Sequence, residues 1–538
     1  MEKNDEFIST VVDYTHDGFG IVKKENFPFF VENVIVGEKV KIKIVKIKKN
    51  FGYAILEEVI NPSKKRLEVK EKTSGASIMH MNYEEQLNFK TQKVKNIIKK
   101  TLKDEKIKIL NTIGMENPIY YRNKSVLPVK RYKDIVKMGY YKSRTHDVED
   151  IYDCKIQFQE HNYLTNKIRK IINDMNISIY DEDTKEGSLR HIMFRTNRSK
   201  SEIMVVLISK NKFKKLDKFV SNIKKISDKI VGIILNINDK NTNVILGEKS
   251  YLLYGEDFII DEIEDLKFKI SPKSFYQINP IQTQKLYNKI IDVARLDSND
   301  IILDAYCGIG TISLFLAKKA KKVYGIEVVE SAIRDAKENA KLNNISNVTF
   351  ILGKAEEKIS TLLKSEKINV VVVDPPRKGC EEIFLQYLVD MNIEKIVYVS
   401  CNPATLARDM KFLKTKGYYA REIQPVDMFP HTPHVEVITL LSKLDPKKYI
   451  SVELPMDDMD LTSAESKATY KQIQNYVLEK FGFKVSTLYI AQAKKKHGLE
   501  VREHYNISKN EKQKIPQCTI EKEEAILDAL KHFKMVYY

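Results

Sequence analysis

The sequence predicts an α/β protein: a Rossmann-like, doubly wound parallel sheet, preceded by a small β-barrel and a mixed α/β domain, and followed by an α-rich extension. Three observations predict it. Strand-like and helix-like stretches alternate from about residue 271 to 443, the pattern of a parallel sheet wrapped by crossover helices. Two of those strands, VVVV (Val370 to Val373) and IVYV (Ile396 to Val399), run straight into reactive residues, Asp374-Pro375-Pro376-Arg377 and Ser400-Cys401-Asn402-Pro403. Five short β-forming runs punctuated by glycines fill residues 1–60. At 538 residues the chain is too long for one core, so three or four domains are expected.

Residues 1–60 read as the barrel, through FISTVVDY, FGIVKK, PFFVENVI, KVKIKIVKIKK and FGYAILEEVI, with Gly18, Gly20, Gly37 and Gly52 where turns belong. Strict alternation puts Lys39, Lys41 and Lys43 on one face of a strand and Val40, Ile42 and Ile44 on the other. That lysine face is open to two readings, a solvated outer wall or a phosphate-facing stripe. Residues 61–270 form the second domain. It starts with a basic helix over residues 83–103, then alternates strands such as EIMVVLIS (Glu202 to Ser209) and VGIILNIND (Val231 to Asp239) with a Lys-rich helix from Asn211 to Ile230. No catalytic signature appears in it. Residues 271–443 are the doubly wound domain. Residues 444–538 come last, as an α-rich extension: Pro446, Pro455 and the acidic run Asp457 to Asp460 mark a linker, and beyond it lie Thr462 to Phe481, a β-like VSTLYIA and a closing helix around Glu521 to Phe533. This tail reads either as an RNA-contacting or partner-docking module, with Lys494-Lys495-Lys496 on phosphate, or as a solvated extension.

The formal charge of +18 is unevenly placed. Residues 61–230 carry 38 Lys and Arg against 21 Asp and Glu, whereas residues 231–444 hold 28 of each. A basic platform beside a neutral catalytic domain suits capture of a polyanion such as RNA. Five cysteines without a CxxC pair argue against a disulfide framework or zinc site and fit a reducing compartment. A polar N-terminus and the lack of any apolar run near ~20 residues predict a cytoplasmic protein with no membrane span. Monomer is the default expectation.

Asp304-Ala305-Tyr306-Cys307-Gly308-Ile309-Gly310-Thr311 lies between a strand and a helix, where glycines let a ligand approach the backbone. A dinucleotide loop would place a third Gly or Ala where Ser313 stands. The short glycine run after an Asp favours S-adenosylmethionine. Glu327 ends the next strand, 17 residues after Gly310, where an acid can accept ribose hydroxyls. In Asp374-Pro375-Pro376-Arg377 the fourth residue is not aromatic, so it offers no ring to stack on an adenine and argues against amino-group methylation.

Together FYQINP (Phe275 to Pro280), DAYCGIGT, DPPRKGC (Asp374 to Cys380), SCNPATLARD (Ser400 to Asp409) and DMFPHTPHVE (Asp427 to Glu436) resemble the RNA (uracil-5-)-methyltransferase family, in family order over about 170 residues. Residues 1–60 resemble the TRAM domain, an RNA-binding barrel on the ribosomal-RNA branch. The resemblance implies that Gln277, Tyr306, Glu327 and Asp374 contact S-adenosylmethionine, that Cys401 is the nucleophile and Glu436 the base, and that the product is 5-methyluridine, in 23S rRNA rather than tRNA. The chemistry asks for these types. Uracil C5 is a poor nucleophile until a thiolate adds to C6, and a base must then remove the C5 proton. Cys401 should need a nearby positive field or helix N-terminus, such as a helix starting near Ala404, to form thiolate. The target base must flip out of its stack. Relatives with a [4Fe–4S] cluster carry a CxxC-containing cluster where this chain reads SGASIMH (Ser74 to His80); Cys154 is left as the fourth position, and four thiolates are needed, so no cluster is expected. His431 and His434 are given no role. Two other readings stay open, cytosine-5 methylation by the same thiolate chemistry and an RNA-binding or RNA-folding factor in which catalysis is secondary.

Overall fold

Alternation of apolar and polar residues closes the first domain. A computed structural model of the chain describes residues 1–69, 75–142, 145–240, 244–443, 470–497 and 518–533. Strands β1 (Glu6–Tyr14), β2 (Gly20–Lys24), β3 (Phe27–Val31), β4 (Lys39–Ile47) and β5 (Gly52–Asn61) form a closed barrel in the order β1-β2-β3-β5-β4. Along β4, Val40, Ile42 and Ile44 are buried and the lysines between them are not, as the period of two requires. Val11, Val22, Phe29 and Val31 complete the interior. Of the lysine face, Lys41 is tied to Glu6 on the neighbouring strand at 2.7 Å.

Helix α1 (Tyr83–Leu102) comes next, and its ends are chemically marked. The Asn82 side chain accepts from the Glu85 N–H, Glu84 and Glu85 occupy the first turn, and Lys99 and Lys100 the last, all favourable to the helix dipole. After the short strand β6 (Lys108–Ile109) comes the central sheet: β7 (Lys124–Tyr132), β8 (Ile135–Tyr141), β9 (Val148–Asp150), helix α2 (Gln159–Asp174), β10 (Leu189–Thr196), β11 (Ile203–Ser209), helix α3 (Leu216–Lys224), β12 (Ile230–Ile237) and β13 (Lys249–Gly255). The seven strands order as β13-β12-β11-β10-β7-β8-β9. Strands β10 and β11 are buried at every position. Helices α2 and α3 put Leu164, Ile168, Phe219 and Ile223 into the same core as these strands. The Lys-rich helix is shorter than its sequence suggests, ending at Lys224. A hairpin of β14 (Ile259–Ile263) and β15 (Leu266–Ile270) leads onward.

The doubly wound domain comprises α4 (Pro280–Ala294), β16 (Ile301–Ala305), α5 (Thr311–Ala317), β17 (Lys322–Glu327), α6 (Glu330–Leu342), β18 (Val348–Leu352), α7 (Ala355–Ser365), β19 (Val370–Val373), α8 (Glu382–Asp390), β20 (Lys395–Ser400), α9 (Pro403–Thr415), β21 (Tyr418–Val426) and β22 (Glu436–Lys443). Its sheet orders as β18-β17-β16-β19-β20-β22-β21-β6. Strands β16 to β20 pair in parallel, and β22 runs antiparallel to both β20 and β21. Two elements that precede the central sheet in sequence complete this domain. Strand β6 pairs beside β21, and α1 adds Val94, Ile98 and Leu102 to the core that holds Val371, Val373 and Tyr398.

Residues 449–538 form a separate unit. Helices α10 (Tyr470–Phe481), α11 (Thr487–Lys496) and α12 (Ile520–His532) enclose Ile473, Val477, Ile490, Ile526 and Leu530. The β-like run VSTLYIA is here the entry to α11. Ser486 Oγ accepts from the Tyr489 N–H at 3.3 Å, and Ile490 and Ala493 share a buried helical face, so packing overrides β-propensity. Of Lys494-Lys495-Lys496, Lys494 is buried, which takes it away from the phosphate contact of the first reading, and Lys496 is exposed and pairs with Glu523 at 2.6 Å; the Lys495 side chain lies outside the described residues. So do the linker marks Pro446, Pro455 and Asp457 to Asp460. Among the described residues no helix is long and apolar enough to cross a membrane, and no group of three His, Cys, Asp or Glu is placed to hold a metal ion.

Candidate active site

One edge of the doubly wound sheet collects the reactive residues. In an open parallel sheet the crevice lies beyond the carboxyl ends of the strands, where the order reverses; here that is between β16 and β19. Tyr306 and Gly308 come directly after β16, Glu327 ends β17, Asp374 comes directly after β19 and Cys401 after β20. Strand β22 is antiparallel to β20, so its first residue, Glu436, stands at the same edge. Ser400 is paired with Val437, and one further step of that register sets Cys401 opposite Glu436. Gln277 arrives from the segment before α4. Gln277, Tyr306, Gly308, Glu327, Asp374, Cys401 and Glu436, seven residues in all, line one cavity of about 1000 Å³.

The glycine loop is shaped for close approach. Gly308 has φ +56°, and nothing lies within 4 Å of where a Cβ would sit. Tyr306 holds φ 69°, a left-handed conformation that is rare for a bulky side chain and marks a constrained position. Its ring packs against Phe384, centroids 5.9 Å apart. Glu327 pins both loops of the crevice: its carboxylate accepts from Gly308 N at 3.1 Å, Val328 N at 2.8 Å and Val329 N at 2.9 Å. Below the loop, Ser313 Oγ donates to Asp304 at 2.5 Å, and burial pushes the Asp304 carboxyl up to about 7. Gln277 is buried, its carbonyl accepting from Asn123 Nδ2 at 3.2 Å.

On the other side of the crevice Asn402 joins two loops. Its side-chain oxygen caps α9 by accepting from Ala404 N at 3.1 Å, and its Nδ2 donates to the Arg377 carbonyl at 3.1 Å. The Asp374–Cys380 loop is held again where Asp409 accepts from Cys380 N at 3.0 Å and from Tyr398 Oη at 2.6 Å. The electrostatics differ from the sequence expectation. Cys401 does precede the N-terminus of α9, yet its thiol is pushed up to about 11, by burial first and then by the charges of Glu436 and Asp374; Arg377 opposes them. Burial raises Asp374 to about 6. Burial and the nearby Asp374 hold the Glu436 carboxyl well above the ordinary range.

The cavity also contains residues for which the sequence supplied no role. Arg122 comes from the central domain, where no signature was visible. Phe275, within FYQINP, lines the cavity while remaining 70% exposed. Phe429 and His434 enter from the loop between β21 and β22, and burial and the Arg377 charge lower His434 to about 4, leaving it neutral.

The family model described as tRNA (uracil-5-)-methyltransferase matches residues 82–444. The chain belongs to that family. This uracil-5 methyltransferase is similar to proteins of Staphylococcus aureus and Enterococcus faecalis described as uncharacterized RNA methyltransferases. Each is 44% identical over 449 residues, which is 82% of this chain and 99% or 98% of theirs. Among solved structures it is similar to the Pyrococcus abyssi tRNA (uracil-54, C5)-methyltransferase in complex with S-adenosyl-L-homocysteine, at 27% identity and a TM-score of 0.67, over 81% of this chain and 99% of that one. Its reaction is S-adenosylmethionine-dependent methylation of uracil C5 in RNA, which decides for uracil over cytosine.

In this methyltransferase the β21–β22 loop, Asp427 to Val435, is latched by α1. Lys90 donates to Asp427 Oδ1 and to the Phe429 carbonyl, and both Lys90 and Asp427 side chains are fully buried. Tyr83 Oη donates to Asp427 Oδ2 at 2.9 Å. Gln86 Oε1 accepts from His431 N at 2.9 Å, its Nε2 meets His431 Nδ1 at 3.1 Å, and Lys93 Nζ donates to the Pro433 carbonyl at 2.8 Å. One helix face thus fixes the loop that delivers Phe429, His434 and Glu436. Removing one partner of a buried ion pair strands the other charge, at a cost of about 3–5 kcal/mol. Urea unfolding of Lys90→Met should show a loss of about that size, and adding Asp427→Asn should recover part of it; equal stability of the single variant and the parent would refute the latch.

Proposed function

We propose that the cavity makes 5-methyluridine by covalent catalysis, with Cys401 as the nucleophile and Glu436 as the base, and that the RNA is 23S rRNA, modified by a cytoplasmic monomer. The observation that carries the mechanism is the Ser400–Val437 pairing that ends the β20–β22 ladder, one step beyond which Cys401 and Glu436 line the same cavity. Gln277, Tyr306, Glu327 and Asp374 are assigned to the methyl donor, because the open floor at Gly308 and the pinned Glu327 carboxylate leave room and acceptors for a nucleoside there. When bound, S-adenosylmethionine supplies an electrophilic methyl group to uracil C5.

The chain's own residues perform the remaining work. Cys401 loses its proton to solvent, and the Sγ lone pair bonds to uracil C6 while the C5–C6 π electrons move toward the C4 carbonyl oxygen. Arg377 is the cation that favours the thiolate against two neighbouring carboxylates. Once C5 carries the methyl group, Glu436 takes the C5 proton, the C–S bond breaks toward sulfur, and the C5–C6 double bond returns. Burial and the nearby Asp374 raise the Glu436 carboxyl, which suits this step, since a stronger base accepts a carbon-bound proton better than an ordinary carboxylate. The excess charge of residues 61–230 supports phosphate capture while the uridine is flipped. The TRAM-like barrel favours ribosomal RNA. A tRNA substrate is the second reading, favoured by the tRNA descriptions of the family and of the P. abyssi structure.

Incubation with S-adenosylmethionine and 5-fluorouracil-substituted 23S rRNA or tRNA tests both. Fluorine cannot leave as a proton, so a denaturant-resistant adduct is expected with 23S rRNA and not with Cys401→Ala; an adduct on tRNA alone would move the substrate, and none on either would refute the mechanism. With ordinary rRNA, Glu436→Gln should accumulate the methylated adduct that the parent resolves, and its turnover should fall by roughly 10²–10⁴-fold. Because the thiol rests at about 11, most of it is protonated at neutral pH. The rate of adduct formation under kcat/KM conditions should therefore rise almost tenfold per pH unit between about pH 7 and 9, and a flat profile would show that the thiolate is already formed.

A further inference from the structure

We propose that the outer wall of the barrel is a stacking platform for unpaired bases of the RNA substrate, built from Phe30 and Phe51 beside Tyr53 and flanked by Lys46, Lys48 and Lys49. The inference rests on the reading that the protein acts on RNA, and it adds where and how a single-stranded part of that RNA is held. The rings are not part of the barrel's interior. Phe29 and Val31 point inward and are buried, while Phe30 between them is half-buried on the outside. Phe30 pairs with Tyr53 on β5, and Tyr53 pairs with Lys46 on β4. Phe51 sits in the β4–β5 turn, which is closed by Lys48 N donating to the Phe51 carbonyl at 2.8 Å.

The geometry of the rings suits a base. Phe30 and Phe51 stack with centroids 4.9 Å apart and an interplanar angle of 23°. Tyr53 stands edge-on to both, at 5.9 Å from Phe30 and 5.6 Å from Phe51. Lys48 Nζ lies 5.2 Å from the Phe51 centroid and 5.8 Å from that of Tyr53. None of these three aromatic residues belongs to the barrel's core cluster, so burial on folding does not account for gathering them here. The β4–β5 hairpin beside them is basic: from Lys39 to Leu56 the chain has six lysines and no Asp or Glu. A short aromatic stack beside cations matches an unpaired strand, with bases continuing the stack and phosphates meeting the lysines. A duplex hides its base faces and would use the lysines alone. Lys41, by contrast, is engaged by Glu6, which shifts the RNA-facing role from the regular lysine stripe to the β4–β5 turn.

The test is binding of the full chain to a fluorescent oligouridylate of about twelve nucleotides and to an RNA hairpin duplex of equal charge. For Phe51→Ala, and more so for Phe30→Ala with Phe51→Ala, the oligouridylate affinity should fall roughly tenfold, about 1.4 kcal/mol, while duplex affinity changes less than about twofold. Phe51→Trp should keep parental affinity, whereas Phe51→Leu, which retains bulk without a π face, should lose it. In a 5-iodouridine oligonucleotide, photocrosslinks should map to Phe30, Phe51 or Tyr53. Parental affinity in the double variant, or equal losses for strand and duplex, would overturn the platform. The Cys401 adduct with fluorinated rRNA is a separate readout, so its failure would count against the catalytic reading and leave the platform to be judged by the oligonucleotide.

Discussion

The site depends on one antiparallel strand inserted into a parallel sheet. Parallel strands can present only their carboxyl ends at the crevice, and each contributes the residues just past its own C-terminus. Strand β22 enters beside β20 in the opposite sense, so it alone brings a leading residue, Glu436, to that edge. The proposed mechanism needs a nucleophile and a base on one pyrimidine ring, and this strand pair, hydrogen-bonded up to Ser400 and Val437, sets Cys401 and Glu436 at one edge. The Asn402 cap and the α1 latch then fix the loops on either side.

The electrostatics stem from the same crowding. Asp374, Cys401 and Glu436 share one pocket, and all three are pushed upward. Three such groups cannot all be ionised together in a low-dielectric space, and Arg377 is the counterweight. A thiol that keeps its proton is a weak nucleophile, so the crowding that raises Cys401 also lowers its reactivity at rest.

Much of the fold was legible because it rests on periodicity. The alternation of β4 and the strand–loop–helix rhythm after residue 271 are local patterns, and they folded as such. The residues at strand tips were legible for the same reason. What could not be read locally were the long-range contributions. Arg122 reaches the cavity from a domain with no signature, and Lys90 looks in sequence like one more lysine on a basic helix, although it is fully buried against Asp427. VSTLYIA misled because β-branched residues state a preference that the packing of α11 overrides. The thiol's upward shift needed the three-dimensional neighbours, since the helix behind Cys401 pointed the other way.

The α1 latch also sets an order for synthesis. Lys90 and Asp427 are 337 residues apart in sequence, and β6 finds its partner only in β21. The barrel and the central sheet, whose pairings are local, can form while the chain is still emerging. Helix α1 cannot bury Val94, Ile98 and Leu102 until the doubly wound domain exists, so for most of translation that apolar face is in search of a partner, whereas Phe89 packs at once with Ile35 and Tyr14. The nascent protein therefore carries an uncovered apolar helix face through the interval between completing its central sheet and completing its doubly wound domain, the stage at which such a surface invites aggregation.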